Sequence, residues 1–431
     1  MPVLTQIFAY LVGAIAIGAP IAFALLFCAM ATAVYLGGTA DAQVMASQLM
    51  RGTDSVAMMA LPFFILAGEL MNRGGLTRRI IALCSVTVGR VRGGLGYVAI
   101  LACLLFGSLV GSAVASTAAL GAILIPMMAT AGFDRARSAG LVASANLVAP
   151  IMPPSVPLII YGATAGVSIQ SLFLGGIAPA VYLTVAMCIV WFFVSRSEGD
   201  IRHDEPRPGA KEITRMVLGA AWALMLPVII LVGLRGGVFT TTEAGVVAVV
   251  YALFVGGVIY REFSVGTLFR SLIAAAKMSA VVMFLAAAAQ VMAYYMTISG
   301  LPDMIAGAMG GLVSNPTLLL LVLMLFVILI GTVLDVVPTI LIVTPIVVPL
   351  LDAAGVDLVY FGIIFTLANV LGLITPPVGP SLNVACATGK VGMDRVIRPV
   401  LPYLVAQTAL VLLMVLIPEL VTAPLGWLEN L

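Results

Sequence analysis

The chain has 431 residues, of which 62% are apolar and only 9% charged, and its formal net charge is +2. Several apolar runs exceed the ~20 residues needed to span a bilayer, and residues 1–40, 93–133, 138–195, 304–334 and 358–389 contain no Asp, Glu, Lys or Arg. This composition defines an all-α polytopic membrane protein; a transmembrane barrel would alternate over roughly 10-residue strands and be far more polar.

In chain order, residues 3–36 split at Gly18-Ala19-Pro20 into two short helices, 3–17 and 20–36. Residues 38–54 read as an amphipathic interfacial helix, and a helix follows at 55–72. A basic loop, 73–92, carries Arg73, Arg78, Arg79, Arg90 and Arg92. Residues 95–130 suit a two-armed hairpin with small residues at its turn. A broken segment at 138–166 and a helix at 171–194 lead to the basic loop 196–215.

The second half repeats this order. Helices at 218–234 and 244–260 precede a loop holding Arg261, Arg270 and Lys277, then a helix at 278–296. A second hairpin at 317–351, a broken segment at 358–388 and a helix at about 399–418 complete it. The N-terminus lacks the basic region and small-residue cleavage site of a signal peptide, so the first helix is expected to stay.

The repetition is visible in the residues. Sliding residues 123–157 by 223 positions onto 346–380 aligns 11 of 35 identically, against about 3 by chance. Asn146 falls on Asn369, and Pro153-Pro154 falls on Pro376-Pro377. Each copy holds an Asn and a Pro-Pro pair inside apolar sequence, where a continuous helix is interrupted. Duplicated broken segments are the best sequence-level pointer to a transporter's binding site.

Loop charges set the expected orientation. The five Arg of 73–92 face no Lys or Arg in 296–315, while the single Arg of 38–54 faces three basic residues in 261–277. This puts 73–92, 132–137, 196–215, 261–277 and 390–398 in the cytoplasm, with both termini and 38–54 on the opposite side. The chain then divides into two inverted repeats, 1–215 and 216–431. Each hairpin dips in from its own face toward a broken helix near the midplane.

Half-helix ends in a membrane supply unpaired amides for anions and carbonyls for Na⁺. One candidate cluster is Gly107, Ser108, Gly111, Ser112 and Ser116 at the first tip, facing Asn146, Pro150, Pro153 and Pro154. The other is Gly331, Thr332, Asp335 and Thr339, facing Asn369, Gly372, Thr375, Pro376 and Pro377. Small residues also serve close helix packing, but their recurrence beside a repeated Asn and Pro-Pro favours a site. Ser116, Pro153, Pro154, Thr339, Asn369, Pro376 and Pro377 are read as substrate-side positions, and Gly107, Ser108, Ser112, Asn146, Pro150, Gly331, Thr332, Asp335, Gly372 and Thr375 as Na⁺-side positions. Asp335 is the only acid in 304–351, and an intramembrane carboxylate is costly enough to be functional by default. Glu69 and Glu243 sit at helix ends and read as caps.

Enzyme chemistry is not indicated. The single histidine, His203, lies among charged loop residues, and no H-E-x-x-H, G-x-S-x-G or Walker A pattern occurs. The five cysteines, scattered without CxxC spacing, read as inert helix residues. Basic residues without interleaved aromatics give no support for nucleic-acid binding.

The ordered set GSLVGSAVAS, NLVAPIMPPS, GTVLDVVPT and LANVLGLITPPVGP, after an N-terminal Gly-x-Pro break, resembles the large membrane subunit of tripartite ATP-independent periplasmic (TRAP) transporters. The resemblance covers essentially the whole chain. It implies an elevator-type secondary transporter in a bacterial inner membrane, driven by Na⁺. An organic anion, of dicarboxylate or sugar-acid type, would be delivered by a periplasmic binding protein. A small four-helix membrane subunit is implied as a separate chain. Carried over by motif, the family's sodium sites would fall on Ser108, Ser112 and Asn146, and on Gly331, Asp335 and Thr375. A self-sufficient anion symporter of the same fold superclass and a channel or assembly scaffold are the alternatives.

Overall fold

A computed structural model describes residues 2–36, 41–196, 209–301, 304, 307 and 310–430. The loop residues Arg202, His203 and Arg207 lie outside the described residues, as does part of the 299–316 connection. Every described element is helical, and eight described helices are long and apolar enough to cross a membrane.

The first half opens with α1 (Pro2–Ala16) and α2 (Ile21–Tyr35). They are separated where Gly18 takes a φ of 83° and Pro20 removes a donor. Next come α3 (Ala42–Thr53) and α4 (Val56–Arg73), started by Asp41 and Ser55, whose side chains accept the Gln43 and Met58 amides. Then follow α5 (Leu76–Val88), the hairpin arms α6 (Gly94–Val110) and α7 (Ala113–Thr130), the two halves of a broken helix, α8 (Arg135–Ala145) and α9 (Val156–Ala165), and the long α10 (Ile169–Arg196).

The second half runs α11 (Ala210–Arg235), α12 (Thr241–Phe254), α13 (Val265–Ile298) and the short α14 (Gly310–Val313). A second hairpin, α15 (Pro316–Gly331) and α16 (Val336–Ala353), precedes a second broken helix, α17 (Leu358–Gly372) and α18 (Pro380–Gly389). The described chain ends with α19 (Met393–Leu416) and α20 (Glu419–Asn430). Element starts recur at the 223 offset: α7 begins at Ala113 and α16 at Val336, α8 at Arg135 and α17 at Leu358.

Four expectations need correction. The basic loop 73–92 contains α5, an amphipathic helix burying Leu76, Ile80, Ile81 and Cys84. α11 starts at Ala210, so Lys211 and Arg215 are helical. α13 starts at Val265, where the Ser264 hydroxyl accepts the Thr267 amide, so Arg270 and Lys277 are helical too. Residues 419–430, beyond the last helix expected from the sequence, form α20. In each case charged or polar residues marked a loop, although one helical face was apolar enough to pack.

Of the two Glu residues read as caps, Glu243 closes a capping box with Thr240 at the start of α12. Glu69 does not cap; it pairs with Arg73 one turn on, at 3.1 Å.

Two packing layers emerge. α2, α3 and α4 lie along α13, α4 also packs on α12, and α11 joins α5 and α12. Against this framework sits an interlocked core. The first arm of each hairpin packs on the broken helix of its own half, α6 on α8 and α15 on α17. The second arms cross over, α7 onto α18 and α16 onto α9. Neither hairpin can therefore separate from the other half without losing the side-chain packing that holds helices together in a bilayer.

Candidate site at two hairpin tips and two helix breaks

At the first tip, α6 ends because Gly111 adopts a φ of 66°, a left-handed conformation that glycine tolerates. Ser112 then starts α7, its hydroxyl accepting the Ala115 amide at 3.4 Å. The tip lies on the first break. A Cβ on Gly107 would come within 2.8 Å of the Ala149 Cα, and one on Gly111 within 3.0 Å of the Val156 nitrogen. Glycine is required at both points to let backbone meet backbone.

The break itself runs from the 3₁₀ turn Asn146–Val148 to Ser155 and includes a cis Pro153-Pro154 bond. Ser155 donates its hydroxyl to the Pro150 carbonyl and accepts the Leu158 amide at 3.4 Å, which starts α9. Pro153, Pro154 and Ser155 are buried. Ser108 and Pro154 line one small cavity with Phe64 and Ala67 of α4 and Leu226 and Ile230 of α11. The structure thus brings Gly107, Ser108 and Gly111 onto the first break, and framework helices cover Ser108 and Pro154.

The second tip follows the same plan with different chemistry. Asp335 occupies the helix-start position that Ser112 holds in the first half, and its carboxylate accepts the Val336 amide at 2.8 Å. The Thr339 hydroxyl donates to the Asp335 carbonyl at 2.9 Å, so Thr339 belongs to α16 and not to the turn. The tip is joined to its break directly, since the Gly379 amide donates to the Thr332 carbonyl at 3.0 Å. Pro376-Pro377 is also cis. Unlike the first break, this one is open: Pro377 and Val378 are exposed.

Polar groups at the breaks are incompletely satisfied. The Asn146 side-chain amide donates to the Val142 carbonyl at 2.8 Å, but its Oδ1 has no hydrogen-bond partner. Asn369 is fully buried, and neither its Oδ1 nor its Nδ2 has one. The hydroxyls of Ser116, Thr117, Ser144 and Ser381 are likewise buried without a hydrogen-bond partner. Leaving such groups unpaired costs about 1–3 kcal/mol each; others, among them Ser279, Thr344 and Gln407, lie away from the tips and breaks. By contrast, Ser108, Thr332 and Thr375 donate to carbonyls of their own helices, at 2.7 Å each. Their oxygens keep acceptor capacity, but their protons are committed.

Sequence reasoning missed Thr117, Ser144, Ser155 and Ser381. Thr117 and Ser155 adjoin predicted residues, and Ser144 and Ser381 lie within four positions of one, so closeness to the Asn and Pro-Pro positions was the available signal. Among the described residues no group of three or more His, Cys, Asp or Glu forms a transition-metal site. Serine, asparagine and backbone oxygens dominate, a set of hard oxygen donors rather than the thiolates and imidazoles that suit zinc or iron.

Two helical hairpins set against two interrupted helices within an apolar bundle form the core of an all-helical polytopic membrane protein. The family described as tripartite ATP-independent periplasmic transporter, DctM component, matches residues 8–420, and the chain belongs to it. It is 46% identical over 419 residues to the 2,3-diketo-L-gulonate TRAP transporter large permease protein YiaN of Escherichia coli, covering 97% of this chain and 98% of that one. It is 34% identical to the sialic acid TRAP transporter large permease protein SiaM of Vibrio cholerae, covering 96% of each. Among solved structures, the Alcanivorax borkumensis YdaH transporter superposes with a TM-score of 0.64 over 91% of each chain at 16% identity, a likeness of fold. The chain is a multi-pass TRAP large permease subunit of the bacterial inner membrane, a transporter of organic anions and not an enzyme.

Proposed function

We propose that this subunit is the Na⁺-coupled permease of a three-component uptake system. In this reading, a periplasmic binding protein delivers a sugar acid or related organic acid, and a separate small membrane subunit completes the transporter. The observation that carries this reading is the pair of buried Asn residues at the breaks, each with an unpartnered side-chain oxygen, in helices whose hairpin tips approach through glycine. Na⁺ is satisfied by neutral oxygens at half-helix ends. The first site would draw on Ser108, Ser112, Asn146 and Pro150 with the backbone at Gly107. The second would draw on Gly331, Thr332, Asp335, Gly372 and Thr375. Ser116, Pro153, Pro154, Thr339, Asn369, Pro376 and Pro377 would border the substrate.

The two halves are read as inverted repeats, 1–215 and 216–431. The interlocked hairpins and broken helices would move as one body against the framework of α2–α4 and α11–α13, an elevator. The sugar-acid class is supported by the two relatives, named for 2,3-diketo-L-gulonate and sialic acid. The test is uptake in proteoliposomes containing both membrane subunits, with the cognate binding protein outside. Accumulation against a gradient that requires inward Na⁺ and the binding protein is the expected result. Accumulation without the binding protein would support a self-sufficient symporter, and mere equilibration a channel.

A further inference from the structure

Neither tip presents a cation to a carboxylate, yet two described basic residues, Arg51 and Arg235, fall on the expected extracytoplasmic side, and of these Arg51 lies against the interlocked core. Arg51 ends α3, in the segment whose counterpart is rich in basic residues. It lines a cavity of about 250 Å³ together with Ser55, Thr164 and Gln290, walled by Leu341 and Pro345, and no Asp or Glu lines it. The walls come from both packing layers. α3, α4 and α13 supply the framework side, while α9 and α16 supply the interlocked core.

Gly52 fixes this geometry. A Cβ there would stand 2.7 Å from the Ala287 Cα and 2.9 Å from the Gln290 Cβ, so the end of α3 lies flush on α13 and both polar side chains line one space. The two ion pairs among the described residues, Arg73–Glu69 and Arg79–Glu262, do not involve Arg51. A basic residue in a last helical turn also suits the helix dipole. That accounts for a cation in this turn, but not for its lining a polar, acid-free cavity. The elements agree on depth as well. Ser55 starts α4, Thr164 ends α9, and Gln290 lies toward the end of α13, all at helix ends expected away from the cytoplasm.

We infer that this cavity is a receiving site for the carboxylate of the transported acid, ahead of the tips and breaks. Arg51 pairs with the carboxylate through its planar fork, and Gln290, Ser55 and Thr164 contact the remaining oxygens. The volume lies just below the roughly 300–1,000 Å³ of drug-sized ligand pockets and suits a small acid. Because framework and core both line it, movement between them would open or close it. This inference rests on the uptake reading above.

The test uses the full chain with its native cysteines replaced and Gln290→Cys introduced, labelled from outside by an anionic or a cationic methanethiosulfonate of similar size. The anionic reagent is expected to react several-fold faster relative to the cationic one than it does in an added Arg51→Gln background. Arg51→Lys should keep most of that preference, and millimolar 2,3-diketo-L-gulonate should slow labelling. A charge preference unaffected by Arg51→Gln, or no labelling of folded protein, would overturn the inference. In uptake assays with the same acid, Arg51→Gln should raise KM at least ten-fold with Na⁺ activation unchanged. An unchanged KM would also overturn it. Loss of Na⁺ dependence in the wild type, with the labelling preference intact, would instead sink the coupling reading alone.

Discussion

A Cβ on Gly331 would stand 2.4 Å from the carbonyl oxygen of Asn369. The partner approach is just as close, since a Cβ on Gly372 would stand 2.4 Å from the Gly331 carbonyl carbon. The second tip and second broken helix therefore meet backbone to backbone, and a methyl at either glycine must push them apart. Overpacking of this kind costs about 1–3 kcal/mol, and here the displacement falls on a proposed Na⁺ site. Gly331→Ala and Gly372→Ala are each expected to lower Na⁺-stimulated uptake at least ten-fold, with membrane levels within two-fold of wild type. Wild-type uptake in both variants would separate this contact from transport.

Asp335 and Ser112 hold the same helix-start position in the two hairpins, so charge and capping can be separated. Asn caps a helix as well as Asp does, whereas Ala loses about 1 kcal/mol. Asp335→Asn is expected to leave Tm nearly unchanged while raising the Na⁺ concentration for half-maximal uptake several-fold. Asp335→Ala should do both, lowering Tm as well. Ser112→Ala should weaken Na⁺ activation and lower Tm by a few degrees. Identical Na⁺ activation in Asp335→Asn and wild type would remove the carboxylate from the site.

Periodicity and loop charge made the hairpins and breaks legible, because Gly-Ser turns and Pro-Pro pairs interrupt helices for local steric reasons. The Asn146 and Asn369 positions were legible because the chain states them twice. Helical stretches such as Leu76–Val88 and Glu419–Asn430 were not. Their charges resemble those of loops, and only the neighbouring helices show that one face is buried. Nor could the sequence reveal the crossing of α7 onto α18 and α16 onto α9, which depends on tertiary packing alone. The asymmetry between a buried first break and an exposed second one was equally hidden, since the Pro-Pro pairs are identical.

Arg79 ties the two halves at the basic edge. Its guanidinium lies 3.8 Å from the Tyr260 ring centroid, bonds the Gly75 carbonyl at 2.9 Å and reaches Glu262 at 3.3 Å. The Tyr260 hydroxyl donates to the Gly219 carbonyl. Partly exposed ion pairs and cation–π contacts each contribute about 0.5–1 kcal/mol. Arg79→Ala should therefore lower Tm by a few degrees while uptake per folded molecule is retained. Arg79→Lys should recover part of the loss, because it keeps the charge but not the planar stack. Tm values equal to wild type in Arg79→Ala would show the cluster to be dispensable.

Asn369 offers the sharpest separation of stability from function. It is fully buried, and both polar atoms of its side chain lack a hydrogen-bond partner. Without a ligand such a group is a liability of about 1–3 kcal/mol, and a hydrophobic residue of similar size removes it. Asn369→Leu is therefore expected to raise Tm in Na⁺-free buffer. Anything that binds only the folded state stabilises it by mass action, so wild-type Tm should climb further with added Na⁺ and substrate. If Asn369 borders the ligands, that increment should shrink sharply in Asn369→Leu, and uptake should fall at least a hundred-fold. A variant that is less stable without Na⁺, yet keeps the wild-type response to ligands, would make Asn369 a structural residue. The opposite pattern would mean that the chain tolerates an unsatisfied amide in its core for the sake of transport.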